Sequence, residues 1–473
     1  MTRRTKIVAT LGPVSSSYEQ IKKLVEAGVN VCRINFSHGK HEDLVEVIQH
    51  IRNINEELGV HTAILGDLQG PKIRVGEMEP GTILEDGQEF ILTNQKCVGN
   101  KEKAYISYQE IPKDVKAGEL ILMDDGKLQM EVISTNYEDQ VILKVTHGGV
   151  LSSKKGVNLP NTKISQPCLT EKDLIDLDFC LEHNLDWIGL SFVRSARDII
   201  ELKHIISSKN KSSKVVAKIE KPEAIAELSD IIKITDAVMV ARGDLGVEIP
   251  MQDVPLLQKK IVQKCLENAK PVIIATQMME SMIENIAPTR AEVTDVANAV
   301  MDGADAVMLS GETSVGAHPV EVIKAMCKII NKVEADYDQL YEQERVPEKN
   351  QERFITDSIC FNACRLSARV DGKAIVTMTH SGYTGFKISS QRPRAKIFVF
   401  SGNKKLLTTM SLVWGVKTFY YDKMVSTDHT IADIKYLLKK EGFVKEGDLI
   451  INTASMPIED KGNTNMLKLS YIE

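Results

Sequence analysis

The chain has 473 residues, 43% apolar and 26% charged, a globular composition with length for two or three domains. Its formal net charge of −6 gives no electrostatic reason to expect nucleic acid or an anionic membrane as partner and leaves small molecules. No signal peptide or membrane-spanning run is visible, which predicts a cytoplasmic protein. Its eight cysteines (Cys32, Cys97, Cys168, Cys180, Cys265, Cys327, Cys360, Cys364) lack any CxxC spacing, which predicts reduced thiols rather than zinc ligands or disulfides.

Short β-branched apolar runs recur along the chain, most of them followed by apolar residues at helical spacings of three and four. They are "KIVATL" (6–11), "VNVCRINF" (29–36), "HTAILGDL" (61–68), "LDWIGLSF" (185–192), "KVVAKIE" (214–220), "AVMVA" (237–241), "PVIIAT" (271–276) and "AVMLS" (306–310). Near-continuous apolar strands are buried on both faces, and eight such units in series predict a closed parallel (β/α)8 TIM barrel. The interval between the third and fourth runs exceeds one crossover. Residues 70–166 carry "GQEFILT", "GELILMDDGKLQMEVIS" and "DQVILKV" with "EDG" and "DDG" turns, which predicts an inserted all-β lid. After the eighth unit the polar stretch "YEQERVPEKNQER" reads as a linker. The runs "KAIVTMT", "AKIFVFS", "VKTFYY" and "DLIINTA" beyond it predict a doubly wound α/β domain, with no further domain after "GNTNMLKLSYIE". The expected α/β architecture is a barrel from 1–69 and 167–340, a lid from 70–166 and a C-terminal domain from 341–473.

Barrel enzymes place their chemistry at the carboxyl ends of the strands. Taken in order, those ends supply Arg33, Asn35, Ser37 and His38, then Asp67, Ser191, Lys218 and Glu220, then Arg242 and Asp244 of "RGDLG", then Thr276, Ser310 and Glu312. Glu220 and Asp244 form a hard oxygen pair suited to magnesium, which keeps waters and takes its other ligands from substrate. Lys218 precedes Glu220 by two and shares its side of the strand. An ammonium beside a divalent ion stabilises an oxyanion, either a transferring phosphoryl group or an enolate, and Arg33 and Arg74 add fork-shaped phosphate donors. Singly, Lys218 or Glu220 reads equally well as half of an internal salt bridge, and His38 as a helix cap. Their convergence on one face favours a site. Phosphoryl transfer and enolate chemistry both stay open at this point, as do a magnesium lyase or aldolase and a metabolite sensor built on the C-terminal domain.

The segments "TKIVATLGP", "RINFSHG", "GDLQGPKIR", "SKKGVNLP", "AKIEKPEA", "VARGDLGVEIP", "ATQMMESM" and "VMLSGET" resemble those of the pyruvate kinase family, in that family's order and along essentially the whole chain. The resemblance implies phosphoryl transfer from phosphoenolpyruvate to ADP, giving ATP and pyruvate, with magnesium required and manganese an acceptable substitute. It places Lys218 on the transferring phosphoryl and the enolate, Glu220 and Asp244 on the metal, and Arg33 on phosphate. It puts Gly243, Ser191 and Thr276 around the substrate, with Thr276 close to the enolate methylene. Asn35, His38, Arg74 and Lys155 face the nucleotide or the transferred group, and Ser310 and Glu312 support the proton-donating side. A homotetramer is implied as well.

Many members of that family need potassium, held by residues matching Asn35, Ser37, Asp67 and the carbonyl of Leu68. Those enzymes typically carry threonine, lysine and glutamate where this chain has Leu68, Gln69 and Lys72. The Lys72 ammonium, expected beside Asp67, would replace the ion, which predicts activity without potassium. In the C-terminal domain "TMTHSGYTG" (377–385) offers Thr379, Ser381, Gly382 and Thr384 as an anion nest for a phosphorylated effector. His380 and Glu441 depart from the pattern of members that respond to fructose bisphosphate.

Overall fold

The computed structural model describes residues 3–37, 39–342, 344–349, 352–423, 426–456 and 462–473. All eight predicted barrel strands form: β1 (Lys6–Thr10), β2 (Val31–Asn35), β3 (Ala63–Asp67), β4 (Trp187–Leu190), β5 (Lys214–Ile219), β6 (Ala237–Ala241), β7 (Val272–Ala275) and β8 (Ala306–Leu309). Each pairs in parallel with its neighbours in sequence, and β8 returns to β1 to close the barrel. Alternation along the strands divides their side chains between two packings. Val8, Val31, Leu65, Trp187, Val216, Met239, Ile273 and Met308 fill the interior, and Ile7, Cys32, Ile64, Ile188, Val215, Val238, Ile274 and Val307 pack outward on the helices.

That interior set continues upward at every second residue. On β2 it runs from Val31 to Arg33 and Asn35, on β3 from Leu65 to Asp67, on β4 from Trp187 to Ser191, on β5 from Val216 to Lys218 and Glu220, and on β8 from Met308 to Ser310. One register rule therefore carries an apolar plug at the bottom of the barrel into a polar site at its top.

The inserted segment forms a six-stranded sheet in the spatial order Val157–Asn158, Leu120–Met123, Leu128–Thr135, Gln140–His147, Glu89–Thr93 and Lys103–Tyr105, with its own apolar core. All of its pairs are antiparallel except the last, and the helical turn Ile111–Asp114 accompanies them. The C-terminal sheet runs Val416–Tyr420, Lys396–Ser401, Ala374–Met378, Leu449–Ala454 and Met466–Tyr471, the first four parallel and the fifth antiparallel. Separate apolar clusters cover its two faces, as a doubly wound sheet requires. This domain closes the bottom of the barrel: Leu412 completes the interior cluster, and the Trp187 indole donates to the Thr409 carbonyl at 3.1 Å. Among the described residues no helix is long and apolar enough to cross a membrane.

Candidate active site

The barrel mouth gathers an alternating chain of charge. The Arg33 guanidinium lies 2.7 Å from Asp67 Oδ2, and Lys218 Nζ lies 3.2 Å from Asp67 Oδ1 and 3.0 Å from Glu220 Oε1. Lys218 also donates to Ser191 Oγ at 2.7 Å, and Ser191 in turn donates to the Leu68 carbonyl at 2.7 Å. Burial disfavours the Lys218 charge, but Asp67 and Glu220 outweigh it and hold the ammonium above the ordinary lysine range. Burial likewise opposes ionisation of Asp67, and the adjacent Lys218 and Arg33 reverse that and hold it below the ordinary carboxylate range. Glu220 goes the other way: burial pushes it up, Lys218 opposes, and the nearby Asp244 charge pushes it up further. Two acids that repel one another at a partly dry site call for a cation between them, and hard carboxylate oxygens suit magnesium. No group of three or more metal-ligating side chains occurs among the described residues.

Two further strand ends complete the floor. Thr276 breaks the inward alternation, since Ala275 before it is the interior residue of β7. Its φ of +69° turns the side chain back, so that its hydroxyl accepts the Gly243 N–H at 2.7 Å and donates to the Ala275 carbonyl at 2.6 Å. Arg242 clamps this turn with a fork onto both Asp295 oxygens at 2.6 Å and a bond to the Thr276 carbonyl at 2.8 Å. Glu312 is buried and accepts the backbone N–H groups of Ser310 at 2.7 Å and Met279 at 3.2 Å, so it shapes the wall beside Ser310.

The expectation for Lys72 needs correction. Its ammonium sits 3.8 Å from Asp244 Oδ1 and not beside Asp67, because Asp67 already holds two cations. The rest of the expected potassium shell is also engaged internally, with Asn35 Oδ1 accepting the Ser37 N–H at 3.1 Å and the Leu68 carbonyl taken by Ser191. Arg74 and Lys155 stay on the lid, where Arg74 donates to the Lys154 carbonyl at 3.0 Å and Lys155 pairs with Asp124 at 2.8 Å. His38 lies outside the described residues. Two contributors escaped the sequence reading. Thr10 supports the Arg33 guanidinium at 2.9 Å, and the Phe192 backbone N–H binds Glu220 Oε2 at 2.7 Å. Thr10 was legible in principle as the inward residue at the end of β1, whereas a backbone donor leaves no side-chain signal.

The fold and this site define a lidded barrel enzyme whose strand ends are built around interleaved cations and carboxylates. Residues 2–323 match the family model described as the pyruvate kinase barrel domain, and residues 357–470 the one described as the pyruvate kinase alpha/beta domain. The pyruvate kinases of Corynebacterium glutamicum and Mycobacterium tuberculosis are 43% and 41% identical, over 100% of this chain and 98% and 99% of theirs. The crystal structure of a pyruvate kinase from Cryptosporidium parvum superposes with a TM-score of 0.93 at 34% identity, covering 100% of this chain and 96% of that one. The chain belongs to the pyruvate kinase family and is a phosphotransferase.

Proposed function

We propose that the chain transfers the phosphoryl group of phosphoenolpyruvate to ADP, giving ATP and pyruvate as in the last step of glycolysis, with magnesium held by Glu220 and Asp244. The observation that carries this is Lys218, an ammonium kept charged between Asp67 and Glu220 at the centre of the mouth. When bound, the metal neutralises phosphoryl oxygens as a Lewis acid. Lys218 would donate to the transferring group and to the enolate oxygen, and Arg33, fixed by Asp67 and Thr10, would hold phosphate oxygens. The Thr276 hydroxyl would stand at the side where the enolate methylene takes its proton, next to the Ser310 and Glu312 wall. Asn35, Arg74 and Lys155 would meet the nucleotide beneath the closed lid.

Residues 70–166 would close over the mouth and exclude water, hinged near Gly70-Pro71 and Pro167. The geometry of both hinges supports this. Gly70 has a φ of +69°, a Cβ there would sit 2.9 Å from Ser191 Cβ, and its N–H is held by buried Asp173 at 3.0 Å. Arg194 grips the second hinge through the carbonyls of Ile164 at 2.5 Å and Gln166 at 2.7 Å.

Potassium independence would come from the Lys72 charge brought by the lid to Asp244. In the C-terminal domain a cavity of about 490 Å³ opens at the carboxyl ends of the sheet, lined by Thr379, Ser381, Thr384, Arg353 and Lys423 among others. A phosphorylated effector would bind there, and a calorimetric titration giving no heat with any sugar phosphate would remove it. The largely exposed Met251, Leu256 and Ile286 support burial against other copies in a homotetramer.

The deciding assay is pyruvate formation from phosphoenolpyruvate and ADP with magnesium, with and without potassium. Equal rates are expected. A rate only with potassium would keep the reaction and discard the lysine argument, and no pyruvate in either would favour a lyase.

A further inference from the structure

Three of the segments that mark this chain each place one residue at the joint between lid and barrel that the chemistry leaves unused. They are Asn158 in "SKKGVNLP", Lys221 in "AKIEKPEA" and Glu248 in "VARGDLGVEIP". Lys221 follows the end of β5, and Glu248 closes the helix Arg242–Glu248 after β6, four residues from Asp244 and therefore on the same helix face. Lys221 Nζ and Asn158 Nδ2 both donate to Glu248 Oε1 at 2.7 Å. Lys221 and Glu248 are almost fully buried, while Asn158, on the edge strand Val157–Asn158 of the lid, is half-buried. Glu248 Oε2 is buried with no hydrogen-bond partner, so the carboxylate is turned to give one oxygen to both donors.

The lid touches this helix at one more point, where Lys72 reaches Asp244 at 3.8 Å. Lid contacts thus fall on Asp244 and Glu248 of one short helix. Of these, the bond from Asn158 combines a charged acceptor, a short distance and a buried partner. When the lid swings away, Asn158 leaves and the buried carboxylate keeps Lys221 alone. An opened lid therefore gives up a charge-assisted hydrogen bond that water replaces poorly at a buried oxygen.

We propose that Asn158, Glu248 and Lys221 form a latch that holds the lid shut and, through the helix Arg242–Glu248, sets the position of Asp244. All three are positioning residues. The inference rests on the lid-closure reading above. One charge-assisted bond shifts the closed-to-open ratio by roughly ten- to a hundred-fold, and ligands that bind the closed form lose apparent affinity as that form becomes rarer. Asn158→Ala removes the lid's hand from the latch and leaves the buried ion pair intact.

The test uses the intact enzyme, with deuterium exchange of segments 154–160 and 242–250, alone and with phosphoenolpyruvate and magnesium, alongside steady-state kinetics. In the wild type the ligand should slow exchange in both segments, and no slowing would overturn the lid reading itself. Asn158→Ala should speed exchange of both segments in the free enzyme and leave the C-terminal domain unchanged. It should also raise KM for phosphoenolpyruvate and ADP together by roughly five- to thirty-fold, with kcat within about three-fold, since saturating ligand closes the lid. Asn158→Asp, which sets a second carboxylate against Glu248, should be worse on both readouts. Ligand protection in the wild type together with wild-type KM and exchange in Asn158→Ala would overturn the latch, as would an Asn158→Asp variant no worse than Asn158→Ala.

Discussion

Thr276 shows how a single backbone angle decides a site. A β-branched residue at φ +69° is strained, and here its hydroxyl is aligned on Gly243 by that strain and by the Arg242 clamp. Thr276→Ala should leave the Gly243 N–H without its acceptor and lower kcat roughly ten- to a hundred-fold, whereas Thr276→Ser should recover most of it, measured by steady-state kinetics on both variants. Sequence periodicity brought out Arg33, Asp67, Lys218 and Glu220 because they continue the inward parity of apolar strands. It could not show why Thr276, on the opposite parity, belongs with them, since a positive φ at a threonine has no pattern. At the bottom of the barrel Asp186 is of another kind. Burial pushes its pKa up from 3.8 to about 6, against bonds from the Thr408 hydroxyl and the Ile64 N–H. A carboxyl raised in the folded state binds its proton more tightly there than in the unfolded chain. Its contribution to stability is therefore best below about pH 4, is lost as pH rises towards 6, and stays lost above. Asp186→Asn should raise the stability at pH 8 by on the order of 1–3 kcal/mol and change little at pH 4, which thermal melts at the two values would read as a raised midpoint at pH 8 alone.

Among the elements, a buried ion pair helps to join barrel and C-terminal domain. Arg392, 1% exposed, donates to Asp305 Oδ2 at 2.9 Å, to the Gly303 carbonyl at 2.7 Å and to the Ser389 carbonyl at 2.7 Å, and its guanidinium stacks 4.8 Å from the Trp414 ring. Asp305, just before β8, also accepts the backbone N–H groups of Val272 and Trp414, both at 3.1 Å. The pair thus binds two barrel strands to the far domain. Removing one partner strands the other charge in the interior, so Arg392→Ala should destabilise the protein by about 3–5 kcal/mol, visible as a lowered denaturation midpoint. None of this was legible in sequence, because Arg392 and Asp305 lie far apart and each looks like a surface residue in its own window. The same holds for the fifth strand of the domain, Met466–Tyr471: its six residues include a lysine and a serine, and it is an edge strand needing one apolar face at most. The three central strands, Ala374–Met378, Lys396–Ser401 and Leu449–Ala454, are largely buried and mostly apolar and were readable for that reason, and the other edge strand, Val416–Tyr420, was readable from its alternating apolar and aromatic residues.

For the molecule as a whole, the stretch "GDLQGPKIR" bears on the charge balance between barrel and lid. The barrel contributes Arg33 and Lys218 against Asp67, Glu220 and Asp244, an excess of acid, and the lid brings Lys72 to Asp244. With the lid in place, three cations face three carboxylates before metal and substrates enter. Lys72 is about one-third exposed, so its pairing is screened and weak as a staple, but under the proposed closure the cleft would be drier and its charge would count for more. Lys72→Glu would leave two cations facing four carboxylates, and closure would then press a new carboxylate towards Asp244. A small monovalent cation from solution would relieve that repulsion. The variant should therefore lose at least about ten-fold of its rate in potassium-free buffer and regain most of it on addition of potassium, with the wild type indifferent to the ion in parallel assays. A variant as active as the wild type without potassium would make Lys72 a solvated lid residue. One equally inactive with and without potassium would show that the lysine does more than supply charge.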